Sequence, residues 1–283
     1  MAADVTITEF TDPACPFAFS AEPFRWKLDW LYGDKIAWDV KLVGLSDDPG
    51  ALAAKGFTPE MLANGMKRIA EEHHMPIDTR PPERMAASVP ACLAVVAARL
   101  HAPEQMRALL RALRVRTFSG AILDAQETID GAARDAGIDP AALAGWMAGE
   151  DVRAALDEDM AAAREPSAAA LALDARLADW SGGRRYTCPS YEMERVADGL
   201  ELSAPGFQPW RVYDVISANL MPGVARRAVP ETVAEVLAWA GTPLASEEVA
   251  VICEVSLAEA REQLSLVAVE QPVGAEGYWT LAA

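Results

Sequence analysis

Four cysteines, at positions 15, 92, 188 and 253 of a 283-residue chain, carry the chemistry that is easiest to place. A thiol attacks only as its thiolate, and the start of a helix favours that form through unpaired backbone N–H groups and the positive end of the dipole. Cys15 stands at such a start. An apolar strand at residues 5–10 (VTITEF) runs into Thr11-Asp12-Pro13-Ala14-Cys15-Pro16, and a helical run follows to about Tyr32 with Pro16 suited to its first turn. Cys92 and Cys253 lie inside apolar helical runs (VPACLAVVAARL and VAVICEV) and read as inert core residues. Cys188 precedes Pro189 in YTCPSY. Four scattered cysteines do not make a disulfide scaffold, and no Cys/His cluster has zinc-ligand spacing.

The elements that must position these thiols follow from periodicity. Residues 36–45 read as a second strand with Ile36, Trp38, Val40 and Leu42 on one face, which gives the chain a βαβ opening and places it in the α/β class. Residues 47–180 are alanine-rich, carry apolar residues at three-and-four spacing and are punctuated by prolines, so they read as an all-helical insertion of five or six helices. Ser181-Gly182-Gly183 breaks that pattern. Residues 186–196 and 200–203 read as a strand pair turning at Asp198-Gly199, and a helix follows over 208–220. The expected division is residues 1–46 with 181–228 as one α/β domain, 47–180 as the insertion, and 229–283 as a small C-terminal module. Helices at 232–240, 246–253 and 257–266, then a strand-turn-strand through Gly274 and Gly277, give that module a winged-helix-like order, with Trp239, Val249, Ile252, Leu257, Leu264 and Trp279 expected to form a small core of its own.

Charge restricts the partners. Lys and Arg number 25 against 42 Asp and Glu, a net charge of −17, so no generic nucleic-acid or anionic-membrane partner is expected. From Pro230 onward Arg261 is the one basic residue against nine glutamates. The winged-helix-like module is therefore expected to serve packing or homodimer formation, not DNA. No run of about 18 apolar residues suggests a membrane span. The first ten residues resemble a strand instead of a secretory signal, which makes a cytoplasmic location the expectation.

The stretch FTDPACPFAFSAEP resembles the active-site segment of the DsbA-like branch of the thioredoxin superfamily, a branch that includes FrnE-type proteins, 2-hydroxychromene-2-carboxylate isomerases and kappa-class glutathione transferases. The resemblance covers residues 4–225 and implies a thioredoxin-like fold carrying a large helical insertion. In that family a CxxC pair performs redox chemistry, and its first cysteine corresponds to Cys15. Its second falls on Ala18, so the usual CxxC disulfide cannot close here. The family's other hallmark, a strand-starting proline that is usually cis and faces the active-site helix, corresponds to Pro189. That would set Cys188 beside Cys15. Cys15 then acts either as a monothiol or with Cys188 as resolving sulfur, unless Cys188 simply packs on its strand.

Pro16, Phe17, Phe207, Trp210 and Arg184 are the candidate substrate-binding residues. Phe17 follows the cysteine by two, Phe19, Phe207 and Trp210 flank the two hallmark segments, and guanidinium forks at Arg84, Arg184 and Arg185 suit carboxylates. His73 and His74 read as solvent-exposed loop residues. Arg107, Arg111 and Arg114 form a helical stripe expected to pair with acidic runs such as Glu150-Asp151 or residues 157–159. The expected function is a cytosolic DsbA-like thiol-disulfide oxidoreductase with Cys15 as nucleophile. A kappa-type transferase or isomerase that activates a bound thiol, and a redox-silent adaptor, remain alternatives. No bound cofactor or metal is expected, with a low-molecular-weight thiol as the one small molecule implied.

Overall fold

The computed structural model describes residues 3–282. β1 (Val5–Thr11) alternates β-branched residues so that Val5 and Ile7 are buried. It passes through a turn into α1 (Pro16–Ser20) and α2 (Glu22–Tyr32), two helices that meet at Ala21 where sequence predicts one run. The chain returns as β2 (Ile36–Leu42), parallel to β1. β2 stops three residues before its expected end: Val43 N still reaches Thr11 O at 2.9 Å, but Gly44 turns left-handed at φ +64° and the Leu45 N–H goes to the Asp12 carboxylate at 2.8 Å, outside the ladder.

The insertion comprises α3 (Gly50–Ala54), α4 (Pro59–His73), α5 (Val89–His101), α6 (Pro103–Phe118), α7 (Gln126–Asp135), α8 (Pro140–Met147), α9 (Glu150–Ala163) and α10 (Ala168–Leu171). Six of these have eight residues or more, as the periodicity predicts, and the two extra helices are single turns. Val40 and Leu42 of β2 join Cys92, Val95 and Val96 of α5 and Leu156 of α9 in one apolar core. Each such side chain contributes about 1.5–3 kcal/mol by leaving water. The Ser181-Gly182-Gly183 break is the tip of a hairpin, β3 (Ala178–Trp180) with β4 (Gly183–Arg185), that stands apart from the main sheet.

β5 (Ser190–Arg195) and β6 (Leu200–Ala204) complete the main sheet in the order β2-β1-β5-β6, antiparallel across β1–β5 and β5–β6. α11 (Trp210–Leu220) and α2 bury Val5, Ile7, Tyr191 and Met193. The C-terminal module follows as α12 (Val233–Ala240), β7 (Leu244–Ala245), α13 (Ser246–Cys253), α14 (Leu257–Val267), β8 (Ala268–Val273) and β9 (Glu276–Leu281), with sheet order β7-β9-β8.

Among the described residues the module has no core separate from the rest of the fold. Val236, Val249, Ile252, Leu264 and Trp279 continue directly into Leu28, Trp30 and Leu31 of α2, while Val273 and Tyr278 join Phe19, Ile77 and Phe118. The residues expected to close on one another are shared with α1, α2 and the insertion because α2 offers two apolar faces. Gly274 marks the closest approach: its φ is +62°, and a Cβ there would stand 2.2 Å from the Ile77 carbonyl oxygen.

The arginine stripe of α6 also departs from expectation. Arg111 and Arg114 are buried, and they face Glu22, Glu9 and Glu248 instead of the acidic runs of α9; Arg107 pairs with Asp29. Arg111 holds Glu248 at 2.6 and 2.8 Å and donates to the Pro243 carbonyl at 2.9 Å. Arg114 bonds Glu22, Glu9 and Thr11, and Arg25 meets Glu22 at 3.1 Å. Three guanidinium groups and three carboxylates thus neutralise one another where α6, α2, β1 and α13 meet. Burial alone would raise the Glu22 carboxyl, but Arg25, Arg114 and Arg111 outweigh it and hold it down to about 2.

Candidate active site

β1 delivers the turn 12–15 to the sheet end, and Cys15 is the extended residue from which α1 begins, with Pro16 in the first helical position. A second segment approaches from the end of β4. Its Tyr186 ring stacks on Phe10 with centroids 4.1 Å apart, and its Tyr186 N–H reaches the Ala163 carbonyl at 2.9 Å. Thr187 donates its hydroxyl to the Arg176 carbonyl at 2.8 Å, and the Ser190 hydroxyl braces the turn by donating to Thr187 O at 2.6 Å and accepting from Gly206 N at 2.9 Å. The Cys188–Pro189 peptide bond held between these ties is cis. The strand begins after it, at Ser190, and not at Tyr186 as the alternation suggests.

The two segments bring Cys15 and Cys188 together, 6% and 8% exposed, among Phe10, Ala18, Val43, Leu177 and Tyr186. As a thiol, Cys15 donates to the Cys188 carbonyl with Sγ and O 3.3 Å apart. As a thiolate it accepts from the Cys188 thiol, which is the chief cause holding it below the ordinary cysteine range. The Ala18 and Phe17 N–H groups add to this, while burial and the Asp12 charge oppose it. Cys188 moves the other way. Burial first, then its bond and charge interaction with Cys15 and the charge of Asp12, push it well above the ordinary range, with Arg185 opposing. One sulfur of the pair is therefore the readier nucleophile and the other holds its proton.

The surrounding candidates divide. Phe17 is 39% exposed and lies 6.2 Å from Phe207 and 6.0 Å from His73 between ring centroids; His73 and Phe207 are 4.5 Å apart. His73 is thus half-buried against the cleft aromatics and not a solvent-exposed loop residue, because it ends α4 on the side facing α1; His74 is exposed. Burial pushes the His73 imidazole below its ordinary value. Trp210 stands behind this cluster against Phe24 at 6.3 Å and Lys27 at 5.4 Å, and Phe19 is fully buried on Phe118.

Pro16 and Ala14 form the edge of a cleft of about 990 Å³ between α3, α4 and the loop 78–86, with Met61, Met66, Met85 and Phe57 among its apolar walls. Arg184 is turned to Asp174 at 2.8 Å and to Asp179, so the hairpin geometry spends its charge away from the thiols. The guanidinium felt by Cys188 belongs to Arg185. Arg84 at the cleft rim is paired with Asp124 at 2.7 Å. Cys92 and Cys253 are buried; burial pushes the first well above the ordinary range and the second up to about 11.

Asp12 is the site residue that the sequence reading missed. Its carboxylate is fully buried beneath the turn, accepting from Ala14 N, Leu45 N and Ser88 Oγ at 2.8 Å each and from Cys92 Sγ at 3.5 Å. An aspartate before a proline carries an ordinary turn signal, and its distant donors leave no local trace in the sequence. Among the described residues no His, Cys, Asp or Glu cluster could hold a metal ion, and no helix is long and apolar enough to cross a membrane.

Comparison with known proteins bears on the fold that carries this arrangement. The model of the DsbA-like thioredoxin domain matches residues 6–168. In fold the chain is similar to a putative protein disulfide isomerase from Nitrosomonas europaea, at 13% identity and TM-score 0.58 over 76% of this chain and 97% of that one. It is also similar to the cytosolic disulfide reductase DsbM from Pseudomonas aeruginosa, at 19% identity and TM-score 0.53 over 76% and 100%. The same reductase solved with GSH gives 18%, 0.52, 76% and 99%. No curated protein matches the sequence. A match over more than half its length, together with the strand-turn-helix that carries Cys15, shows that the chain belongs to the family of DsbA-like thioredoxin domains.

Proposed function

We propose that the protein is a thiol-disulfide oxidoreductase in which Cys15 is the nucleophile and Cys188 takes over the resolving role that position 18 cannot fill. The observation that supports this most is the contact between Cys15 and Cys188, with the acidity of one thiol raised and that of the other lowered. The Cys15 thiolate attacks one sulfur of a substrate disulfide, forming a mixed disulfide and releasing the other sulfur as a thiolate. Cys188 then gives up its proton and attacks the Cys15 sulfur, closing a Cys15–Cys188 disulfide and expelling the second substrate thiolate. The substrate disulfide gains two electrons and the cysteine pair loses two. Pro16, Phe17 and Phe207 offer the incoming partner an apolar surface. The likeness in fold to a reductase described as cytosolic and solved with GSH supports a cytoplasmic setting and a low-molecular-weight thiol as co-substrate.

The test uses glutathione disulfide and a Cys188→Ala variant of the full chain. The variant is expected to accumulate a glutathione adduct on Cys15, whereas the native chain passes through it to an internal disulfide. Failure of Cys15 to form an adduct in either chain would remove the nucleophile from the account.

A further inference from the structure

We propose that Asp12 is a positioning residue that pins the Cys15 turn against the insertion and restrains the thiol with a buried negative charge that forms no ion pair among the described residues. The carboxylate has two kinds of hold. Its own turn donates Ala14 N at 2.8 Å to Oδ1, while Leu45 N and Ser88 Oγ from beyond β2 and the start of α5 each donate at 2.8 Å to Oδ2. Its main-chain carbonyl accepts the Cys15 N–H at 3.1 Å, so a shift of Asp12 moves Cys15 directly. All four donors to the carboxylate, two backbone N–H groups and the Ser88 and Cys92 side chains, are neutral, and neutral donors stabilise a carboxylate without cancelling its field. Burial raises the Asp12 carboxyl above its ordinary 3.8, and its charge opposes ionisation of both Cys15 and Cys188.

The groups facing the pair are few. Cys188 and Arg185 come from the segment before β5 and the Phe17 and Ala18 N–H groups from α1, while Ser88 and Cys92 of α5 face Asp12. Burial opposes ionisation of Cys15 most, and Asp12 adds a charge that opposes it further. The consequence for exchange rests on reading Cys15 as the exchanging thiol, but the restraint itself does not, because alkylation reports ionisation of Cys15 whether or not the protein turns over disulfides.

The experiment is the rate of Cys15 alkylation by iodoacetamide against pH, with the modified peptide identified by mass spectrometry, in the native full chain, Asp12→Asn and Ser88→Ala. Asp12→Asn removes the charge and is expected to move the midpoint to lower pH by about one pH unit. Ser88→Ala keeps the charge and removes one donor, so its midpoint is expected to stay at the native value or rise. Loosening of the turn alone would shift both variants in one direction. An unchanged or higher midpoint in Asp12→Asn overturns the proposal, and so does a lower one in Ser88→Ala. If Asp12→Asn does not fold, Ser88→Ala decides by the same criterion.

Discussion

Replacing Glu22 by Gln keeps the side chain's shape but removes one of the three carboxylates in the buried cluster, leaving Arg25, Arg111 and Arg114 to share Glu9 and Glu248. The Glu22 carboxyl falls from its ordinary 4.5 to about 2 on folding. Converted at 1.36 kcal/mol per pH unit, that difference makes the ionised group worth about 3 kcal/mol at neutral pH. The same order follows from breaking a buried ion pair, about 3–5 kcal/mol, against a total stability of about 5–15 kcal/mol. Because the folded-state value is depressed, the contribution is complete above about pH 4.5 and is lost as pH falls toward 2. Urea unfolding of native and Glu22→Gln chains at pH 7, 4 and 2.5 is therefore expected to show a gap of about 3 kcal/mol that narrows with acid. A gap that stays constant across that range would refute the electrostatic argument and assign the loss to packing.

Other outcomes follow from single contacts. Gly274→Ala forces a side chain into a left-handed backbone 2.2 Å from the Ile77 carbonyl, so it is expected to destabilise the docked module by at least about 1–2 kcal/mol. Thermal unfolding checks this, and an unchanged midpoint contradicts the close approach. The His73 imidazole is expected to titrate below 6.5 by NMR, because burial against Phe17 and Phe207 disfavours its charged form. Its contribution to stability is present above pH 6.5 and lost as pH falls through the depressed value, and a midpoint above 6.5 would contradict the burial argument.

Residues with a strong local signature were legible. The alternation of Val5 and Ile7, the proline after Cys15, and the caps and apolar spacing of the C-terminal helices all report structure within a few residues of themselves. α13 begins and ends where the pattern puts it, and α14 closes a capping box between Ser256 and Glu259. The pairing of Arg114 with Glu9 and Glu22 was not legible, because a charged stripe on a helix looks the same in sequence whether it faces water or three buried carboxylates. Only the long-range packing of α6 on α2 and β1 decides which. Asp12 failed for the same reason: its donors lie at Leu45, Ser88 and Cys92. The hairpin 178–185 was missed because three-residue strands carry too little alternation to register. At the candidate site, Cys15, Cys188 and Pro189 were named from two short motifs, and the fold brings the two cysteines into contact. Arg184 pairs with Asp174 and Asp179 while its neighbour Arg185 acts on Cys188, a difference of hairpin side that leaves no mark in the sequence.

The account stands most directly on whether Cys15 and Cys188 work as one redox centre. Mild oxidation of the full chain with diamide, followed by denaturation, alkylation of the remaining thiols and peptide mapping, tests this without a physiological substrate. The expected result is an intramolecular Cys15–Cys188 disulfide, with Cys92 and Cys253 recovered alkylated. Recovery of Cys188 as an alkylated thiol while Cys15 is oxidised alone or joined to another molecule would contradict the account.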